Sequence, residues 1–182
     1  MKKLFALAAL SAAALSAQAF EVTSVDIKEG QKLAVAQVYN GFGCKGGNLA
    51  PQLSWKGEPK GVKSYAVTVY DPDAPTGSGW WHWIVYDIPA AFNGLPAGAS
   101  AEPDSKVKLP AGAKQGRNDY GTRDFGGACP PMGDKPHRYI VTVYALKVEH
   151  LDVPDDASAA LIGYMLNANA LGKATLTGKY GR

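Results

Sequence analysis

Ser64-Tyr65-Ala66-Val67-Thr68-Val69-Tyr70 and Trp81-His82-Trp83-Ile84-Val85-Tyr86-Asp87-Ile88 are two apolar, β-branched and aromatic runs separated by one loop, Asp71 to Gly79. Runs of this length and composition read as strands, and Pro89 ends the second. By simple alternation His82 falls on the same face as Ile84 and Tyr86, with Trp81 and Trp83 on the other. The chain is thus expected to be built around a β-hairpin with an unusually elaborate connection.

Downstream, His137 to Leu146 is a third strong strand, opened by His137 with Tyr139 on the same face. Pro154-Asp155-Asp156 supplies acidic helix-start signals, after which Leu161, Tyr164, Met165, Ala168 and Leu171 can share one helical face ended by Gly172. A last strand is expected over Ala174 to Tyr180. Upstream, Phe20 to Ile27 suggests an edge strand, Val35 to Val38 a short one, and Pro51 to Trp55 an extended segment. Many strands, one main helix and no βαβ rhythm imply a mostly β domain of antiparallel neighbours. No repeat or linker divides residues 20–182.

The loop Asp71-Pro72-Asp73-Ala74-Pro75 holds two carboxylates in a segment whose prolines fix φ and restrain the preceding residue. It can serve as a plain turn or as a preorganised site. His82 and His137 both stand near strand mouths beside long irregular loops, and with the two aspartates they point to one shared site. Zinc is not favoured, because no pair shows a recognisable ligand spacing. A serine hydrolase is not favoured either, since no Gly-x-Ser-x-Gly elbow occurs. Backbone N–H groups of Gly116 and of Gly126-Gly127-Ala128, with histidine and tyrosine donors, suit an oxyanion such as phosphate.

Lys2 and Lys3, the apolar stretch Leu4 to Leu15 and the small-x-small triplet Ala17-Gln18-Ala19 form the pattern of a secretory leader. Cleavage after Ala19 is expected to leave residues 20–182 as one domain in the periplasm. The apolar stretch is too short to be an integral membrane span. Loss of Lys2 and Lys3 with no acid lowers the formal net charge from +3 to +1. No basic stripe fit for nucleic acid is left. Cys44 and Cys129 lie in Gly-rich loops, and an exported protein is expected to join them, with two separate thiols as the alternative.

Taken together, Asp71-Pro72-Asp73-Ala74-Pro75, Trp81-His82-Trp83 and the run Cys129-Pro130-Pro131 through His137-Arg138-Tyr139 resemble the phosphatidylethanolamine-binding protein family. Gly116-Arg117-Asn118-Asp119-Tyr120-Gly121 and Leu176 to Tyr180 extend the resemblance over nearly all of residues 20–182. It is greatest to exported members of the bacterial branch similar to the Raf kinase inhibitor protein. The resemblance implies a central antiparallel sheet packed on a smaller one, and a small cavity for phosphate, acetate or a phospholipid head group; no cofactor and no metal are expected. Asp71 and Asp73 would lie at its edge, His82 and His137 would form opposite walls, and Tyr139 would support the latter. Pro75, Gly127, Ala128, Pro130 and Pro131 would shape the rim. The first expectation is therefore a non-catalytic binder of a small anion or head group. The alternatives are an interaction module that inhibits a kinase or protease, and a hydrolase with His82 or His137 as general base. A protein partner and a homodimer are left open.

Overall fold

Residues 19–102 and 104–182 are described by a computed structural model of the chain. The leader-like residues before Ala19 lie outside that range. Three runs read from the sequence form the middle of the main sheet. These are β5 (Ser64–Asp71), β6 (Trp80–Pro89) and β9 (His137–Leu146). Five antiparallel strands stand in the order β10-β9-β5-β6-β8, with β8 at Lys114–Gln115 and β10 at Ala170–Tyr180. A smaller sheet, β1-β4-β7, is made of Glu21–Thr23, Leu53–Lys56 and Gly94–Leu95. The expected pairing of a central sheet with a smaller one and one main helix near the C-terminus holds.

β5 and β9 are apolar at nearly every position because both faces of their sheet are covered. Tyr65, Val67, Val69, Trp83, Val85, Tyr139, Val141 and Val143 pack toward Val22, Leu53, Trp55 and Leu95 of the small sheet. On the opposite face Ala66, Ile84, Tyr86, Tyr144 and Leu146 meet Ala159, Ile162 and Leu166 of the helix α1 (Ala159–Asn169). At about 1.5–3 kcal/mol for each large apolar side chain buried, these two layers dominate the favourable side of folding.

The edges depart from the reading. α1 starts after Ser158, whose hydroxyl accepts from Leu161 N, and no acidic residue stands in its first turn. Its buried face is Ala159, Ile162, Gly163 and Leu166, whereas Leu161 and Tyr164 are exposed. Glycine stands at 163 on this face because the indole of Trp81 lies against it, where a Cβ would come to 3.0 Å from the ring. Leu171 and Gly172 belong to β10, which begins at Ala170 rather than Ala174. Val35–Gln37 is a 3₁₀ turn, held by bonds from Gln37 N to Ala34 O and Val38 N to Val35 O. Around the first cysteine a small hairpin forms, β2 (Asn40–Gly41) with β3 (Cys44–Lys45).

Candidate functional site

The geometry of the site begins with an irregularity in β6. Val69 pairs with Trp83 and Tyr70 with Trp81, so His82 is an extra residue, a β-bulge. Alternation is broken there. Trp81 packs with Ile84 and Tyr86 on the helix side, Trp83 packs on the small-sheet side, and the His82 ring turns onto Tyr139, 5.1 Å between centroids. The expected shared face of His82, Ile84 and Tyr86 is thereby corrected. Without the bulge the imidazole would point into the helix layer.

His82 lines a cavity of about 190 Å³ at the end of the main sheet. Asp71 at the end of β5, Pro75 in the following loop, His137 and Tyr139 on β9, and Pro130 and Pro131 line the same cavity. Seven sequence-predicted residues are thus brought together. Asp73, Gly127 and Ala128 are not among its walls.

Asp73 instead turns outward to Arg138, accepting from its Nε at 2.9 Å, its Nη2 at 2.7 Å and its backbone N at 2.9 Å. Those bonds hold its carboxyl at about 2, well below the usual range. The Gly126–Ala128 N–H groups are engaged inside the fold. Gly126 N donates to His82 O, Gly127 N to Asn48 Oδ1 and Ala128 N to Gln37 O. Gly116 N likewise donates to Ile84 O. None of them is left to meet an anion. Gly127 must be glycine for packing, since a Cβ there would lie 2.5 Å from backbone atoms of Gln37 and Tyr39.

The two histidines differ in their partners. The Nδ1 of His137 lies 2.8 Å from Asp71 Oδ2 and its Nε2 lies 3.3 Å from Asp134 Oδ2. Carboxylate oxygens only accept, so both bonds form together only when both ring nitrogens carry hydrogen. Asp71 is itself braced, because Oδ1 accepts from Asp73 N at 2.8 Å. His82 donates from Nδ1 to the Gly126 carbonyl at 2.7 Å, and its Nε2 is buried without a hydrogen-bond partner among the described residues. Burial pushes its pKa down, which keeps the ring neutral.

Two further buried polar atoms on the same cavity are also unpartnered, the hydroxyl of Tyr139 and the indole N–H of Trp80. Burial raises the phenol pKa of Tyr139 and of Tyr120, so both keep their hydrogens near neutral pH. Tyr120 uses its own on Gly127 O at 2.8 Å. Unsatisfied buried groups cost about 1–3 kcal/mol each, and native proteins contain few of them. Three around one small cavity, two donors and one nitrogen lone pair, form a polar constellation for a ligand.

Trp80, Tyr120 and Phe42 also line the cavity and were not singled out from the sequence. Trp80 adjoins the Trp81-His82-Trp83 run and Tyr120 lies inside the Gly116–Gly121 segment, so both had a local signal. Phe42 had none. Its backbone sits at φ 51° on the β2–β3 hairpin, and its ring stacks 5.7 Å from Tyr120. Cys44 and Cys129 are joined, tying that hairpin to the cavity wall. No group of three or more His, Cys, Asp or Glu side chains among the described residues could hold a metal ion. No helix among them is long and apolar enough to cross a membrane.

Comparison with known proteins agrees over almost the whole chain. The family model described as phosphatidylethanolamine-binding protein matches residues 23–181. UPF0098 protein YbcL of Escherichia coli strain K12 is 55% identical over 182 residues, covering 99% of this chain and 98% of that protein. UPF0098 protein YbhB of the same strain is 44% identical over 160 residues, 88% of this chain and 99% of that protein. The crystal structure of E. coli YbcL, described as a new member of the mammalian PEBP family, superposes with a TM-score of 0.85 at 56% identity. That superposition covers 91% of this chain and 99% of the YbcL chain.

Proposed function

This chain belongs to the phosphatidylethanolamine-binding protein family, and from that premise we propose that it binds a small oxyanion, a phosphate or a phosphoryl head group, without transforming it. The observation that carries the reading is the convergence of His82 Nε2, Tyr139 Oη and Trp80 Nε1, all buried and unpartnered, on one cavity. Asp71, Pro75, Pro130, Pro131 and His137 complete the walls of the proposed site. The volume of about 190 Å³ is below the roughly 300–1,000 Å³ of drug-sized pockets, which suits a head group rather than a whole lipid. Affinity is expected in the micromolar range or weaker, because little apolar area is covered. Hydrolysis has less support. Of the two histidines that could act as general base, His137 has both ring nitrogens on carboxylates, while on the cavity wall the Thr76 hydroxyl donates to Gly79 O and Cys129 is held in its disulfide.

Calorimetric titration of the chain with inorganic phosphate tests the reading. One site is expected, with His82→Ala weakening it by about a hundredfold, the order of a hydrogen bond to a charged group. Unchanged affinity in a folded His82→Ala protein would sink the assignment.

Placement in the branch similar to the Raf kinase inhibitor protein, and a role as a kinase or protease inhibitor, have a narrower basis. Phe42 and Met132 stand 67% and 79% exposed near the cavity walls, as a docking rim would. A rim function predicts that Met132→Ser loses partner inhibition while phosphate binding persists. Export to the periplasm with removal of residues 1–19 also belongs to this proposal. The Cys44–Cys129 bond supports it, since disulfides persist in oxidising compartments. A mature N-terminus other than Phe20 would count against it.

A further inference from the structure

The hydrogen inventory of the cavity restricts which oxyanions fit. The Gly126 carbonyl can only accept, so the hydrogen of a neutral His82 ring is on Nδ1, 2.7 Å from that oxygen. Nε2 then offers a lone pair from a side chain that is 3% exposed overall. An oxyanion oxygen is also a lone-pair donor, and the two repel unless a proton lies between them.

Among the described residues, no neighbouring group engaged in a hydrogen bond supplies that proton from its present bonding. From β5, Asp71 already accepts from His137 and from Asp73 N. From the loop after β8, Asp119 accepts from Trp81 N, and Tyr120 donates to Gly127 O. From β9, both ring nitrogens of His137 face carboxylates. The free donors are the Tyr139 hydroxyl and the Trp80 indole N–H. Both can serve other oxygens of the same ligand.

We propose that the cavity accepts an oxyanion only together with one proton shared between His82 Nε2 and a ligand oxygen. It therefore selects phosphate monoesters and inorganic phosphate, whose P–OH brings that proton, over phosphodiesters, which carry none. This rests on the reading above that an oxyanion occupies the cavity. A monoester monoanion binds with no net change in protons. A diester, or a monoester that has lost its second proton, takes one from solvent and leaves His82 as imidazolium. Depression of the imidazole pKa by burial makes that uptake costly. A free head group is a monoester and an intact phospholipid is a diester, so the same chemistry separates the two sources.

Methyl phosphate and dimethyl phosphate are the probes, titrated calorimetrically into the chain in buffers of different ionisation heat. At about pH 5.5, below the second phosphate pKa of about 6, methyl phosphate is expected to bind with little proton uptake. Dimethyl phosphate is expected to bind at least about tenfold more weakly, to take up close to one proton, and to weaken by up to about tenfold per pH unit on the alkaline side. His82→Gln, which can offer an amide N–H without titrating, is expected to narrow the gap and flatten the pH dependence. If that variant does not fold, the proton count of the unaltered chain still decides. Equal affinities with no uptake for the diester would overturn the proposal while leaving the oxyanion site intact. Failure of both probes to bind would overturn the oxyanion site itself.

Discussion

Asp87 and His82 occupy the two irregular regions of β6, and each buries a polar side chain at a break in register. Near Asp87 the register with β5 shifts between the pairs Tyr65–Ile88 and Val67–Val85, and the residue itself adopts φ 58°. Its side chain is fully buried, Oδ1 accepts from Leu151 N at 2.8 Å, and Oδ2 has Lys114 Nζ at 3.8 Å and His150 Nδ1 at 3.5 Å. Among the described residues Oδ2 makes no hydrogen bond of its own, as His82 Nε2 makes none, but the chain sets the Lys114 ammonium and the His150 ring beside it, and it is not on the cavity wall. At His82 the same backbone device turns an imidazole nitrogen onto a cavity where no side chain among the described residues meets it. An unpartnered buried polar atom points to a site where several converge on one cavity, as Trp80, His82 and Tyr139 do, and not where it stands alone in the packing, as at Asp87.

The contrast is broken most severely by Asp87→Ala. Removing the carboxylate strands the Leu151 N–H inside the protein, and alanine tolerates the positive φ poorly. A loss of about 2–3 kcal/mol of unfolding free energy is expected from these two effects. Phosphate affinity should stay unchanged in the folded protein. Denaturant unfolding together with a phosphate titration checks both halves, and a loss of affinity matching that of His82→Ala would erase the distinction between the two ends.

Tyr139→Phe probes the other end. Deleting a hydroxyl that has no partner removes a desolvation cost, so stability should be unchanged within about 0.5 kcal/mol or rise. Phosphate affinity should fall by about tenfold, the worth of one hydrogen bond near the top of the usual net range. A stability loss of about 2 kcal/mol with unaltered binding would show the hydroxyl to be structural.

The same distinction explains how much was legible in the sequence. β5, β6 and β9 could be read to within a residue, because a sheet covered on both faces leaves an apolar, β-branched run that few other structures produce. The convergence of Asp71, His82, His137 and Tyr139 was legible because each stands at the cavity end of one of those strands. The facing of His82 was not, since a bulge replaces alternation and its cause is pairing with a distant strand. The helix face was misread because Gly163, which has no side chain to signal burial, packs against Trp81 between Ile162 and Leu166, while the more conspicuous Leu161 and Tyr164 face outward. The occupation of the Gly126–Ala128 N–H groups depends on residues 37 and 48, far away in sequence. Composition carries no trace of that.

The smallest effect separates the two carboxylates of the Asp71–Pro75 loop, one held inside the cavity and one outside. Asp73 has a folded pKa of about 2 against an ordinary 3.8, through its bonds to Arg138. A depressed acid stabilises the fold fully above its unfolded pKa, and the gain is lost as pH falls from about 4 toward 2. The Asp73 side chain is 31% exposed and that of Arg138 52%, so solvent screening reduces the contribution to about 1 kcal/mol. Acid unfolding of Asp73→Asn should therefore show a shallower loss of stability across that window than the unaltered chain. Asp73→Asn should bind phosphate as the unaltered chain does, because its carboxylate faces Arg138 rather than the cavity. If it instead weakened phosphate as strongly as His82→Ala, the outer ion pair would be positioning the site through the loop, and the line drawn between the two aspartates would have to move.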